Sequence, residues 1–131
     1  MITVDTHVII WNALNPGMIS KKATNAIEIA NATDGIVFCE ISLWEIAMLM
    51  QKKRIKIAVP YIDFIHLIKA SNNYIYKGIS PEIAEIATQL PSEINPDPAD
   101  RIISATSLST HTELITADEN LRNSKILRTI W

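Results

Sequence analysis

Four acidic residues stand at the seams of the chain. Asp5 ends the β-branched run Ile2-Thr3-Val4, Asp118 follows Leu114-Ile115-Thr116, and Glu45 and Asp100 lie in the first turns of helical patterns. Grouped carboxylates hold hard cations and orient water, so their meeting would create a hydrolytic or cation-binding pocket. In open α/β sheets ligands collect beyond the carboxyl ends of the strands, where acids from distant segments converge. Taken singly, each acid also fits a helix cap. Ser42-Leu43-Trp44-Glu45 reads as a capping box, with Ser42 as the cap and Glu45 reaching back to it. Asp97-Pro98-Ala99-Asp100 reads as a cap at Asp97, proline at the first helical position and an acid at the positive end of the helix dipole. Asp118 can cap a single turn, and Asp5 or Thr6 the first helix.

The elements that would position these acids follow from hydrophobic spacing. A strand is predicted at residues 2–4 and a helix over 7–14, ended by Asn15-Pro16-Gly17. Ser20 caps a second helix reaching about Thr33, and Asp34-Gly35 turns the chain into the buried run Ile36-Val37-Phe38-Cys39. A third helix starts at Ser42 and ends near Lys52-Lys53-Arg54. A fourth opens at Pro60 with Ile62, Ile65, Leu67 and Ile68 as its apolar positions, and Tyr74-Ile75-Tyr76 forms a strand. Helices follow from Ser80-Pro81, with Ile83, Ile86, Ala87 and Leu90, and over residues 98–109. Residues 114–116 form a strand, 118–121 a turn, and Ile126-Leu127 with Ile130-Trp131 a last strand. Strands alternating with helices imply an α/β fold, a mainly parallel sheet under helices on both faces.

Composition narrows the function. A chain of 131 residues suits one domain, residues 1–131, able to bury roughly two-thirds of the surface that its unfolded form exposes. With 48% hydrophobic residues and a formal charge of −2 it is globular, and the whole chain offers no general attraction to a polyanion. Three glycines, Gly17, Gly35 and Gly78, allow neither a P-loop nor a Gly-rich dinucleotide loop. The single cysteine, Cys39, and three scattered histidines allow neither an internal disulfide nor a Cys/His zinc site, which points to a reducing compartment. No basic leader and no run of 18 apolar residues is present, so a cytoplasmic protein without a membrane partner is expected.

Four segments also carry a resemblance that spans the chain. Val4-Asp5-Thr6-His7-Val8-Ile9-Ile10-Trp11, Ile41-Ser42-Leu43-Trp44-Glu45-Ile46-Ala47, Asp97-Pro98-Ala99-Asp100-Arg101-Ile102-Ile103-Ser104-Ala105 and Ile115-Thr116-Ala117-Asp118 resemble, in order and spacing, the motifs of PIN-domain proteins. More narrowly, they resemble the VapC-type toxins of prokaryotic toxin–antitoxin pairs. The resemblance implies a PIN-like three-layer α/β/α sandwich and a magnesium-dependent endoribonuclease centre at Asp5, Glu45, Asp100 and Asp118. Asp5 and Asp100 are assigned as direct metal ligands, with Glu45 and Asp118 completing the shell directly or through water. Asp97, Thr6, Thr116 and Arg101 take supporting places around them. Magnesium, or manganese in its stead, suits an acid cluster lacking histidine and cysteine ligands, and a bound metal supplies the activated water that phosphodiester hydrolysis needs. An RNA substrate such as tRNA or rRNA, a cognate antitoxin and a homodimer are further implications. Two departures touch substrate contacts rather than metal acids: Glu93-Ile94-Asn95-Pro96 stands where many relatives carry a His-Arg pair, and Glu119 replaces a basic residue.

Other residues read more plainly. His7, His66 and His111 share no motif and are expected at the surface or in helix packing. Lys52-Lys53-Arg54 with Lys56 is either a solvated helix end or an RNA-attracting patch, and Arg101 either a phosphate contact or an ion-pair partner. Trp11, Trp44 and Trp131 are expected as core or interface anchors and Cys39 as a buried packing residue. Two competing classes are a phospho-accepting receiver domain, which would need a lysine on the last strand, and an inactive PIN scaffold that only binds a partner.

Overall fold

The computed structural model describes all 131 residues. Five strands, β1 (Ile2–Val4), β2 (Ile36–Cys39), β3 (Tyr74–Lys77), β4 (Glu113–Ile115) and β5 (Thr129–Ile130), form one sheet in the order β3-β2-β1-β4-β5, with every neighbouring pair parallel. Chain order runs outward in both directions from β1, so the switch point of the sheet lies at its carboxyl end. A receiver domain has the flavodoxin-like order 2-1-3-4-5, which this sheet lacks. β1 and β2 are buried throughout because helices cover both faces, whereas the edge strand β3 turns Tyr74 and Tyr76 inward and exposes Ile75 and Lys77.

On one face pack α1 (Thr6–Leu14), α2 (Lys21–Ala32), α3 (Ile41–Gln51) and α4 (Tyr61–Ser71), whose apolar positions join Ile36, Phe38 and Ile115 in the larger core. On the other pack α5 (Pro81–Gln89), α6 (Pro98–Thr110) and the single turn α7 (Glu119–Arg122), around Cys39, Ile103, Leu114 and Leu121. This is the expected α/β/α sandwich. No helix is long and apolar enough to cross a membrane.

Several local expectations are corrected. Helix α3 starts at Ile41 with Glu40 at its cap position and no side-chain cap bond, so Ser42 lies inside the helix. Helix α4 buries Phe64, Ile65 and Ile68 while Ile62 and Leu67 are exposed, because the stripe facing the sheet follows positions 61, 64, 65 and 68. Thr116 steps off β4, and the last strand shrinks to two residues because Leu127 is drawn into the second core.

At Gly35 the turn into β2 adopts φ 101°, and a Cβ there would lie 2.7 Å from Ile75 Cδ1 and 3.1 Å from the Asn73 carbonyl oxygen. Gly35→Ala is therefore expected to cost about 1–3 kcal/mol and to lower Tm by roughly 5–10 °C. An alanine variant melting with wild type would contradict that backbone geometry.

Candidate active site

Asp5 is the single residue between β1 and α1, and it caps the helix. The Thr6 amide donates to its Oδ1 at 2.7 Å, and the Thr116 hydroxyl donates to its Oδ2 at 2.7 Å. The same Thr116 oxygen accepts the Asp118 amide at 3.1 Å, so one hydroxyl ties the ends of β1 and β4 together. Asp118 in turn caps α7, accepting the amides of Asn120 and Leu121 through Oδ1. Capping and site-building thus coincide at Asp5 and Asp118.

The other acids divide differently. Asp97 caps α6 by accepting the Asp100 amide at 3.1 Å, while the Asp100 carboxylate is left to accept the Asn95 side-chain amide at 3.2 Å. Glu45 is no part of a capping box. Ser42 is buried inside the helix and shares a 2.8 Å hydrogen bond with the Thr6 hydroxyl that ties α3 to α1.

Asp5, Glu45, Asp97, Asp100 and Asp118 line one cleft of about 410 Å³ with His7, Trp11 and Ala117. Five carboxylates here have no ion-pair partner, since the single salt bridge in the chain joins the Met1 amino group to Asp34. Burial pushes the Asp5 carboxyl above its ordinary range, against the Thr116 hydrogen bond and the nearby His7. Glu45 is raised chiefly by burial and further by the charges of Asp5 and Asp97. Asp100 is raised to about 7, first by burial and then by Asp5 and Asp97. Desolvation rather than mutual repulsion leads in all three. The acids face one space without closing on a point: no three acidic, histidine or cysteine side chains form a ready cage for an ion.

The supporting residues are also placed. Arg101 makes no ion pair; its guanidinium donates to the carbonyls of Ala87, Leu90, Pro91 and Ile94 at 3.1–3.4 Å. It clamps the loop whose next residue, Asn95, reaches Asp100. Asn120 fixes the same loop, accepting the Asn95 amide and donating to the Glu93 carbonyl. Arg101→Met should therefore cost about 2 kcal/mol, and Arg101→Lys should restore only part of it, since an ammonium cannot fork across four carbonyls. Melting both variants checks this. A methionine variant as stable as wild type would mean that the clamp holds nothing.

His7 and Trp11 belong to the cleft although the sequence reading left them outside it. The available signal was the spacing: a helix starting at Asp5 places positions 7 and 11 four apart on one side of its first turns. Trp131 is half-buried against Trp11, whereas Trp44 is exposed and anchors no core. A larger cavity of about 590 Å³ between α1, α4 and residues 57–59 is lined by no titratable side chain.

The chain is also similar to known proteins over its whole length. The PIN domain family model matches residues 2–126. Ribonuclease VapC22 of Mycobacterium tuberculosis is 34% identical over 132 residues, covering 99% of this chain and 98% of that protein. Among solved structures, VapBC2 from Rickettsia felis bound to a promoter DNA fragment is similar with a TM-score of 0.71 at 15% identity, over 98% of this chain and 97% of that one. A toxin–antitoxin complex from Klebsiella pneumoniae is similar with a TM-score of 0.64 at 23% identity, over 97% and 95%. With its acids gathered at the switch point of a parallel sheet and this likeness along its whole length, the chain belongs to the PIN-domain family, in the VapC branch.

Proposed function

We propose that the chain is a divalent-cation-dependent endoribonuclease and the toxin of a toxin–antitoxin pair. The observation that carries the reading is the cleft itself: five carboxylates, three of them held above their ordinary range, and no cationic side chain bonded to any. Such a group of acids calls for a cation from outside. Magnesium, with manganese as substitute, fits oxygen donors in an open cleft, because it keeps several waters and needs only one or two carboxylates. The ion would supply a water that is nucleophilic at neutral pH and would relieve charge on the phosphoryl oxygens.

Asp5 and Asp100 are the proposed ligands. The Thr6 amide and the Thr116 hydroxyl fix both Asp5 oxygens, and Asn95 fixes one oxygen of Asp100. Glu45, whose carboxyl burial raises above its ordinary range, faces the same cleft and is suited to take a proton from the attacking water. Asp118 holds its orientation through its cap bonds and completes the acid set. RNA as substrate is supported by the relative named a ribonuclease, and an antitoxin partner by the fold neighbour solved as a toxin–antitoxin complex. A homodimer is part of the same proposal. The receiver reading loses its lysine, since β5 is Thr129–Ile130, and an inactive scaffold has no use for the uncompensated acids.

The test is incubation of the purified chain with total RNA. Cleavage is expected with magnesium or manganese and none with EDTA. Cleavage indifferent to EDTA, or no cleavage with either ion, overturns the reading.

A further inference from the structure

A second polar cavity, of about 490 Å³, lies beside the acid cleft and is lined by Lys22, Glu119, Arg122, Asn123, Thr129 and Trp131. Its residues come from the first turn of α2, from α7 and its cap, and from β5 and the residue after it. The two cavities share a wall. Trp131 packs on Trp11 with ring centroids 5.9 Å apart, and Trp11 meets His7 at 5.8 Å, so aromatic rings run from one cavity into the other. Along the chain the boundary is the step from Asp118 to Glu119.

We propose that this cavity is a subsite for single-stranded RNA, in which Lys22 and Arg122 hold backbone phosphate beside the bond to be cut and Trp131 stacks a neighbouring base. The proposal rests on the ribonuclease reading and adds a binding surface to it. An acid cleft in a chain of net charge −2 repels a polyanion, so substrate must be held by cations near the cleft. Arg101 is spent on carbonyls. The basic run from Lys52 begins only where α3 ends, beyond Gln51, whereas Glu45 lies near the start of that helix. Lys22 and Arg122 are exposed, have no ion-pair partner and flank a half-buried indole, the pairing of cation and stacking platform that single strands use. Asn123 and Thr129 add neutral polar groups suited to sugar and base edges. Glu119, the residue after Asp118, is the single acid among the lining residues, against the two cations Lys22 and Arg122.

The experiment measures binding of a labelled ten-nucleotide mixed-sequence single-stranded RNA in EDTA, so that it reads the subsite whether or not the chain cleaves. Lys22→Ala/Arg122→Ala should weaken binding at least tenfold and reduce the slope of log K against log salt by about 1.4, the loss of two phosphate contacts. Trp131→Ala should weaken it about tenfold, and Trp131→Phe, which keeps an aromatic face and the fold, should recover most of that. Lys52→Ala/Lys56→Ala removes the same charge elsewhere and should stay within twofold of wild type. Equal losses from both charge pairs, no loss from the Trp131 variants, or no RNA binding by wild type would each overturn the proposal. So would equally tight binding of a ten-residue glutamate peptide that Trp131→Ala leaves unchanged, the behaviour of a site for an acidic protein segment.

Discussion

Replacing Asp100 by asparagine should remove at least two orders of magnitude from the rate of RNA cleavage while leaving the fold intact. The substitution keeps shape and keeps an oxygen for the Asn95 amide, but takes away a charge that the proposed centre needs to hold its cation. Asp5→Asn should act as strongly, because asparagine still caps α1 and the Thr116 hydroxyl can reverse its hydrogen bond, leaving charge as the main loss. Asp97→Asn should cost far less, about tenfold or under, since Asp97 is exposed and its cap bond survives in asparagine. Rates at fixed magnesium, with circular dichroism to confirm folding, check this order. The rate should also fall as pH drops through about 7, where the Asp100 carboxyl takes up its proton and competes with the cation. Cleavage surviving in both Asp5→Asn and Asp100→Asn would remove the acids from the chemistry.

In EDTA, wild type should lose stability as pH rises from about 4 to about 7. Burial and the neighbouring acids raise Asp100 from an ordinary 3.8 to about 7 in the folded chain, so in that window the folded form holds a proton that the unfolded chain has released. The contribution is fully present below 3.8 and is gone above the folded value, and raised Asp5 and Glu45 act in the same direction. For the half-buried Asp100 alone, solvent screening leaves on the order of 1–2 kcal/mol. Asp100→Asn removes that part of the slope and should therefore melt higher than wild type at pH 7.5 in EDTA. Urea unfolding at several pH values reads the slope directly, and a wild-type stability flat between pH 4 and 7 would show that burial leaves the acids unperturbed.

Much of the architecture was legible because local signals and tertiary burial agree. Ile36-Val37-Phe38-Cys39 is apolar throughout and is buried on both faces, and Ser20, Ser80 and Asp97 cap the helices that their side chains announce. The reading failed where a tertiary contact overruled a local one. Ser42 looked like a cap but is claimed by the Thr6 hydroxyl, and α3 starts earlier without a side-chain cap. Thr116 looked like the end of a strand but is claimed by Asp5. Arg101 sits next to an acid in sequence and points at loop carbonyls in space. The acid set comes from motif resemblance, since spacing alone favours caps over a shared site. Three of those caps, at Asp5, Asp97 and Asp118, are real and coexist with the site. His7 and Trp11 were missed because a helical face gains meaning only once the start of its helix is fixed at Asp5.

The central claim, that Asp5, Glu45, Asp100 and Asp118 act as one cation site, is tested most directly by the melting temperature of wild type and Asp100→Asn at pH 7.5 in EDTA and in magnesium. At ten times its dissociation constant, an ion that binds only the folded chain adds about 1.4 kcal/mol, or roughly 5 °C for a domain of this size. Wild type should show that rise, and Asp100→Asn, already higher in EDTA, should gain little from magnesium. No magnesium-dependent rise in wild type, or an equal rise in the variant, would contradict a shared site.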